Sequence, residues 1–337
     1  MSNPVRVLVT GGAGFIGSHL VDRLLAGGYR VRVLDNLSNG SLDRLGSALA
    51  AGAELELGDV LDADICRRVT ESIDVVYHLA CLGVRHSLHA PVENLRVNTM
   101  GAARVFEAAR SAGVRRVVYV SSSEVYGGTT AVPQSAGATP PAPLTPYAAG
   151  KLAGEHVARA YASTFGLDAV VLRLFNTYGP RSHHEGDAGE LIPRTITRLL
   201  TGQPPVVFGD GGASRDLVYV EDMAEALARA LEIRALSGQT LDVGSGVELS
   251  VREIVARLQE LTDTGGRVPL RLPARPGDTQ RLRADPNPFA RATGFVPRTD
   301  LDDGLRRTVA YFRDLNARGL LDVMPPLTNW GEDGGGR

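Results

Sequence analysis

The sequence predicts a doubly wound α/β fold, because short β-branched runs alternate with helical stretches, a glycine-rich turn follows the first run, and an acidic residue closes the second. The runs fall at residues 5–9, 31–34, 54–57, 75–78, 117–120 and 169–172. Runs this short and this apolar suit parallel strands buried on both faces. The first helix is expected over residues 15–26, where Phe15, Ile16, Leu20, Leu24 and Leu25 share a face and Gly27-Gly28 suit a C-cap.

Further along, residues 131–146 hold Pro133, Pro140, Pro141, Pro143 and Pro146, which excludes a regular element and predicts a loop across the rim of an active site. Beyond residue 176 the alternation loosens into Gly/Pro/His clusters, the expected mark of a smaller C-terminal substrate-binding lobe. Helical patterns at 221–233 and 251–261 enclose a strand at 240–243, so the chain is expected to return to the sheet. The predicted organisation is a dinucleotide-binding domain over 1–175 with 214–245 returning to it. A lobe built from 176–213 and 246–325 follows, and 326–337 is a disordered tail.

Composition narrows the function. Net charge is −2 with 22% charged residues, which argues against a nucleic-acid footprint or an anionic membrane surface as partner. No apolar run approaches the ~20 residues of a spanning helix. Cys66 and Cys81 make no metal-ligand spacing and are expected as reduced thiols. The first strand starts at once, with no room for a secretory leader, so a cytoplasmic protein is expected. His183 and His184 have no carboxylate or cysteine at ligand spacing, and no metal is expected.

The turn after the first strand reads GGAGFIG, with Gly11, Gly14 and Gly17 opening the helix that begins Phe15-Ile16. There the backbone can approach a pyrophosphate, and unpaired N–H groups with a positive dipole end can hold it. A tight βα turn alone would also need these glycines. Asp35, 18 residues after Gly17 at the end of the second strand, adds a carboxylate for ribose hydroxyls and repels a 2′-phosphate, which favours NAD over NADP. Asp59-Val60 after the third strand suit either adenine contact or, for Asp59, a helix N-cap. Leu79 and Ala80 end the fourth strand and line the cofactor through backbone atoms, with His78 a satisfied core histidine.

Tyr147 and Lys151 stand at i and i+4 in PYAAGK, on one face of a helix opening after Pro146. An ammonium beside a phenol favours phenolate and fits the tyrosine for general-base work, and the same amine can hold a ribose. Among 36 basic residues this is the lone lysine, a placement that random assignment gives about one time in 36. A compact ammonium is therefore required here where guanidinium does not serve. The fifth strand ends in Ser121, Ser122, Ser123 and Glu124, placing hydroxyls where open α/β sheets bind ligands.

With GGAGFIG, Asp35-Asn36, SSSEVYG, PYAAGK, LRLFNTYGPR, SRDLVYVED and RPGD over about residues 5–315, the sequence resembles the extended short-chain dehydrogenase/reductases. Within them it is most similar to the nucleotide-sugar epimerases, dehydratases and decarboxylases, and nearest to UDP-sugar 4-epimerases. The resemblance implies a Rossmann sheet, NAD as a retained cofactor, and a nucleotide-sugar substrate, most simply a UDP-sugar. It makes Ser122 the catalytic hydroxyl, Tyr147 the base and Lys151 the nicotinamide-ribose lysine. It adds Asn36 and Asn98 to the cofactor contacts. Asn176, Arg215 and Arg275 fall to the nucleotide diphosphate, Asp278 to its ribose and Val207-Phe208 to the base, with Arg181 a further substrate contact. Two arginines and an amide make a sensible clamp for a dianion. Residues 81–91, with Arg85, and the loop 182–190 are expected to select the sugar.

The implied chemistry is proton removal from the C4 hydroxyl with hydride transfer to NAD, giving a 4-keto sugar. Relatives that dehydrate carry an Asp-Glu pair after the hydroxyl, whereas here Ser123 precedes Glu124, so 4-epimerisation is favoured. Decarboxylation of a uronic acid is the runner-up and 4,6-dehydration a further one. A non-catalytic NAD-binding scaffold and a dehydrogenase with exchangeable NAD are the rivals of other classes. A homodimer is expected through the Tyr147 helix and a preceding helix at 92–112, since Ala148, Ala149, Ala153, Ala158 and Ala162 let helices approach closely.

Overall fold

Strands that are apolar on both faces require cover on both, and this requirement organises the protein. The computed structural model describes residues 4–321 with Leu327 and Thr328. Most of the predicted tail therefore lies outside the described residues. Seven parallel strands form the central sheet: β1 (Arg6–Thr10), β2 (Arg30–Asp35), β3 (Glu54–Leu57), β4 (Val75–His78), β5 (Arg116–Ser122), β6 (Ala169–Leu174) and β7 (Thr240–Val243). Their order is β7-β6-β5-β4-β1-β2-β3. Val7 of β1 lies between Val31 of β2 and Val75 of β4.

The two-residue period of the strands divides the core. Val7, Val9, Val33, Tyr77 and Val118 pack on one side with the helices Phe15–Ala26 and Val220–Arg229. Leu8, Leu34, Val76, Val117 and Tyr119 pack on the other with Ala63–Thr70, Ala102–Ser111 and Pro146–Phe165. From β1 the chain winds outward through β2 to β3, then returns to place β4 on the other side of β1. That reversal opens a crevice at the carboxyl ends of β1 and β4, where sheets of this kind bind ligands.

The smaller lobe has a core of its own around Ile192, Ile196, Leu199, Ile254, Leu258, Leu305, Val309 and Phe312. Three short pairings brace it: Asn176–Tyr178 with Leu217–Tyr219, Ser214–Arg215 with Leu249–Ser250, and Val206–Phe208 with Leu270–Leu272. Residues 214–219 take part in these pairings, while Val218 already packs in the core of the main sheet with the Val220–Arg229 helix that follows. Conversely Phe289 and Phe295, expected in the lobe, pack in the main core.

Several boundaries differ from the sequence expectation for identifiable reasons. β5 starts at Arg116 and β6 runs on through Arg173, because both guanidinium groups are buried with partners. Arg116 donates to Asp168 Oδ2 at 2.8 and 3.0 Å, and its Nη1 caps the carbonyls of Ala230 and Ile233 at 2.9 Å. The expected helix at 221–233 ends at Arg229 just before these carbonyls turn toward Arg116. The expected helix at 92–112 is three pieces, Pro91–Leu95, a π-helical turn Arg96–Gly101 and Ala102–Ser111. The proline-rich segment is irregular as predicted but is not a rim along its length. Gln134 ties it to residues 281–285, its side chain donating to the Arg281 carbonyl at 3.1 Å, and only Leu144-Thr145 approach Gly277 beside the cavity.

Glu155 is fully buried and pairs bidentately with Arg173, Nε at 2.8 Å and Nη2 at 2.7 Å. Removing one partner of such a pair strands a charge in a dry interior. Arg173→Met is expected to lower the unfolding free energy by about 3–5 kcal/mol, read from the denaturant midpoint. A midpoint equal to wild type would show that the pair ties nothing together.

Candidate active site

The crevice is a cavity of about 530 Å³ whose walls come from both parts of the chain. At the sheet end its floor is the glycine loop. Gly11 takes φ +72°, and a Cβ there would stand 2.7 Å from the Ala80 nitrogen. At Gly17 a Cβ would fall 2.1 Å from the Gly11 carbonyl oxygen, so the helix N-terminus packs on the turn only because both residues are glycine. Gly11, Gly14, Phe15, Ile16 and Gly17 all line the cavity.

Asp35 accepts from the N–H of Ala13 at 2.9 Å and of Leu37 at 2.8 Å, which locks the loop to the end of β2. Burial pushes its carboxyl up, and those two N–H groups pull it back. The glycine loop, the helix N-terminus and a half-satisfied carboxylate fit an adenine dinucleotide. Asn36 donates to Asp59 at 3.0 Å, and both line the same wall with Val60. Asp59 is not the helix N-cap. That is Asp62, which accepts from Asp64 and Ile65, while Asp59 takes the Leu61 N–H at 2.8 Å.

Leu79 and Ala80 line the cavity, the Leu79 N–H donating to the Thr10 carbonyl at 3.1 Å. His78 is buried, bonded through Nδ1 to the Thr10 hydroxyl at 2.7 Å, and burial drops its pKa to about 3, so it is a neutral core residue. Asn98, expected against the cofactor, is 2% exposed and absent from the cavity wall. Its amide instead bonds both backbone groups of Leu82 at 3.0 Å, which positions the chain segment after β4.

Ser122 sits at the carboxyl end of β5, where its Oγ accepts from the Glu124 N–H at 3.2 Å, and it lines the cavity together with Tyr147. Tyr147 lies in the first turn of the Pro146–Phe165 helix, started by Pro146 and capped by Thr145, whose Oγ1 accepts from the Ala148 N–H at 3.2 Å. One turn on, Lys151 is buried, and its Nζ donates to the Val120 carbonyl at 2.9 Å. It stands 6.0 Å from the Tyr147 ring centre.

Burial holds the Tyr147 phenol well above its ordinary value, the nearby Cys81, Glu124 and Glu190 add to that, and Ser122 opposes it.

At the far end Arg215 and Arg275 share Asp278, Arg215 through Nη2 at 2.9 Å. Arg215 is further fixed by donating to the carbonyls of Ser214 and Thr279. Asn176 lines the same wall with a buried Oδ1 that has no partner. Asp278 therefore holds the arginines in place, a role the ribose expectation did not include. Arg85, Ser123 and Glu124 also line the cavity, Glu124 accepting from the Thr279 hydroxyl at 3.0 Å.

Two expected substrate contacts lie elsewhere. Arg181 pairs with Asp22 of the first helix at 2.7 Å and lines no part of the cavity. Strand alternation turns Val206 and Phe208 to the cavity and Val207 into the core. His183 and Glu190 of the expected sugar-selecting loop line the cavity, and so do Arg194 and Arg198, which the sequence reading missed. Arg194 and Arg198 were detectable as an i, i+4 pair on the Leu191–Leu200 helix. Burial raises Glu190 to about 7 against the pull of Arg85 and Arg44, and lowers His183 to about 3. Among the described residues no His/Cys/Asp/Glu group could hold a metal, and no helix is long and apolar enough to cross a membrane.

A crevice with this loop, carboxylate and hydroxyl–phenol–ammonium set has known counterparts, for residues 7–244 match the NAD dependent epimerase/dehydratase family. The protein belongs to that family. It is an enzyme of the extended short-chain dehydrogenase/reductase type, with NAD as cofactor. A UDP-glucose 4-epimerase of Mycolicibacterium smegmatis is 40% identical over 92% of this chain and 99% of its own. A dTDP-glucose 4,6-dehydratase of Streptomyces niveus is 35% identical over 93% of this chain and 94% of its own. The crystal structure of a Thermus thermophilus UDP-glucose 4-epimerase in complex with NAD superposes with a TM-score of 0.83 at 37% identity, covering 92% of this chain and 99% of that one.

Tyr147→Phe removes only the ionisable oxygen and is expected to cut turnover by roughly 10²- to 10⁴-fold while NAD stays bound, measured by kcat and by cofactor content after gel filtration. Lys151→Arg, although it keeps the charge, is expected to lose both turnover and cofactor, because a planar fork cannot occupy the buried point donor's place. Near-normal turnover in Tyr147→Phe would mean that the base lies elsewhere.

Proposed function

We propose that the protein is a nucleotide-sugar 4-epimerase that works through a 4-keto intermediate, on a UDP-sugar. What supports this reading is a single cavity lined by Ser122, Tyr147 and Lys151 and also by the Arg215–Asp278–Arg275 clamp. A diphosphate on the clamp leaves its sugar in the space before Tyr147. NAD, held by the glycine loop and Asp35, would supply the acceptor and donor of the C4 hydride.

The protein's own part follows from the geometry. Tyr147 Oη takes the C4 hydroxyl proton and later returns it, while the Ser122 hydroxyl bonds the same substrate oxygen as it becomes a carbonyl. Lys151, fixed on the Val120 carbonyl, keeps two further protons for the ribose of the cofactor. Returning hydride to the opposite face requires the keto sugar to turn, and the cavity's 530 Å³ gives it room.

What happens after the ketone separates the branches. Loss of water from C5 and C6 needs an acid for the departing hydroxyl. Ser123, buried beside the catalytic serine, is a poor one, and Glu124 is engaged by Thr279. Incubation with UDP-glucose, UDP-N-acetylglucosamine, UDP-glucuronate and a dTDP-hexose is expected to give at least one product of unchanged mass with an inverted C4 proton coupling. Loss of water or carbon dioxide as the main course would replace this reading with dehydration or decarboxylation.

The assembly we propose is a homodimer in the cytoplasm. Val92, Leu95 and Met100 are 78%, 37% and 49% exposed beside the catalytic helix, where Ala149 is also exposed. Ala148 and Ala158, first read as part of that surface, are buried within the subunit, so the contact rests on Ala149 and Ala153. A second copy is the natural cover for this apolar face. Light scattering at micromolar concentration is expected to return twice the chain mass, and the monomer mass would remove the proposal.

A further inference from the structure

The chain that leaves the substrate wall crosses to the cofactor wall. Asn176 lines the cavity with the arginine clamp, and His183, a short way on, lines it too. Between them residues 180–183 run along the Phe15–Ala26 helix, which opens out of the glycine loop. His19 Nε2 donates to the Pro180 carbonyl at 3.0 Å, and Arg181 pairs with Asp22 at 2.7 Å. The His183 ring meets Phe15 edge-on, with 6.5 Å between centroids. Arg181 takes φ +64°, a left-handed backbone that a side chain of this size adopts only where its surroundings hold it.

A second fastening comes from the loop after β2. That loop packs on the glycine turn, the Ser41 N–H donating to the Ala13 carbonyl at 3.1 Å, and Gly40 approaches Asp35 so closely that a Cβ would stand 2.8 Å from Oδ1. Asn39 and Gly40 line the cavity. Arg44 donates through Nη1 to the Asn39 carbonyl at 3.0 Å and through Nη2 to His183 Nδ1 at 3.3 Å. A guanidinium can only donate, so Nδ1 accepts and the imidazole is neutral with its proton on Nε2. Burial lowers its pKa to about 3, which preserves that state.

We propose that residues 180–183 form a strap that keeps NAD in its site, and that His183, at the head of a loop expected to select the sugar, serves the cofactor instead. The glycine loop and Asp35 face a crevice, and an open crevice by itself lets a dinucleotide come and go. The strap is fastened at Phe15, His19, Asp22 and Arg44, and the first three stand on the helix whose N-terminus opens the cofactor site. No single tie is strong, since the Arg181–Asp22 pair is part-exposed and the bond from Arg44 to His183 is long. Release needs these ties to open together, which slows it without making the strap rigid. A hydride that is to be returned to the sugar must not leave with its carrier, so an enzyme that regenerates its cofactor in each turnover gains from slow release.

The test reads cofactor release and needs no turnover, so an epimerase assay that fails on every sugar leaves its result untouched. Holoenzyme is passed through gel filtration into NAD-free buffer, an NAD-hydrolysing enzyme is added in excess, and the NAD remaining on the protein is followed with time. Wild type is expected to keep its NAD through gel filtration. His183→Ala and Arg44→Met are each expected to release it about tenfold faster. His183→Asn, whose amide oxygen can take the place of Nδ1, is expected to release NAD more slowly than His183→Gln, whose longer side chain carries its amide past that point. Wild type that loses NAD on gel filtration, alanine and methionine variants that release it within about twofold of wild type, or equal release from the asparagine and glutamine variants would each overturn the strap. Should the variants at 183 or 44 fail to fold, Asp22→Asn breaks the tie to Arg181 at a part-exposed position. It is expected to speed release by about threefold, and an unchanged rate there overturns the proposal.

Discussion

The buried pair of Glu155 and Arg173 is the constraint on which the active site depends. Glu155 lies one turn beyond Lys151 on the catalytic helix and accepts from Arg173 of β6 and, at 2.6 Å, from the Ser121 hydroxyl of β5. Arg173 also donates to the Tyr126 hydroxyl at 2.7 Å, and Tyr126 donates to Asp242 of β7 at 2.9 Å. One fully buried carboxylate thus fixes the helix of Tyr147 and Lys151 against the strand that ends in Ser122, while the same network reaches across the sheet to β7. Charges taken out of water are tolerated only when every donor and acceptor is met, and this network meets them.

From this fixed centre the cavity is polarised. Toward β1 and β2 it offers backbone N–H groups, a helix N-terminus and Asp35, a setting for a neutral-to-anionic dinucleotide with free ribose hydroxyls. Toward the smaller lobe it offers arginines arranged around Asp278 and the unpartnered oxygen of Asn176. Tyr147 and Lys151 stand where the two regions meet. Burial raises the Tyr147 phenol above its ordinary value, so a positive charge placed beside it would favour the phenolate.

The sequence made the sheet legible because both-face burial writes an apolar run, and β3 and β4 fall where their runs predict. It hid Arg116 and Arg173 as strand residues, since a charge in a run reads as a strand end unless its distant partner is known. The glycine loop, Asp35, Ser122, Tyr147 and Lys151 were legible as local patterns, each a few residues long. At the substrate end Arg85, Asn176, Arg215 and Arg275 were legible only through the family resemblance, and Arg194 and Arg198 were not, because these residues come from separate segments that only the tertiary fold assembles. Arg181 and Asn98 show the opposite error. Both were expected at the ligand, yet one pairs with Asp22 and the other bonds the Leu82 backbone.

The central claim is that one enzyme-held NAD takes and returns the same hydride at C4. It is tested most directly by offering the enzyme a nucleotide sugar deuterated at C4 in ordinary water. The account predicts product with full deuterium at C4, inverted configuration there, and no label in solvent. Washout of the label, or its appearance on another carbon, would contradict it.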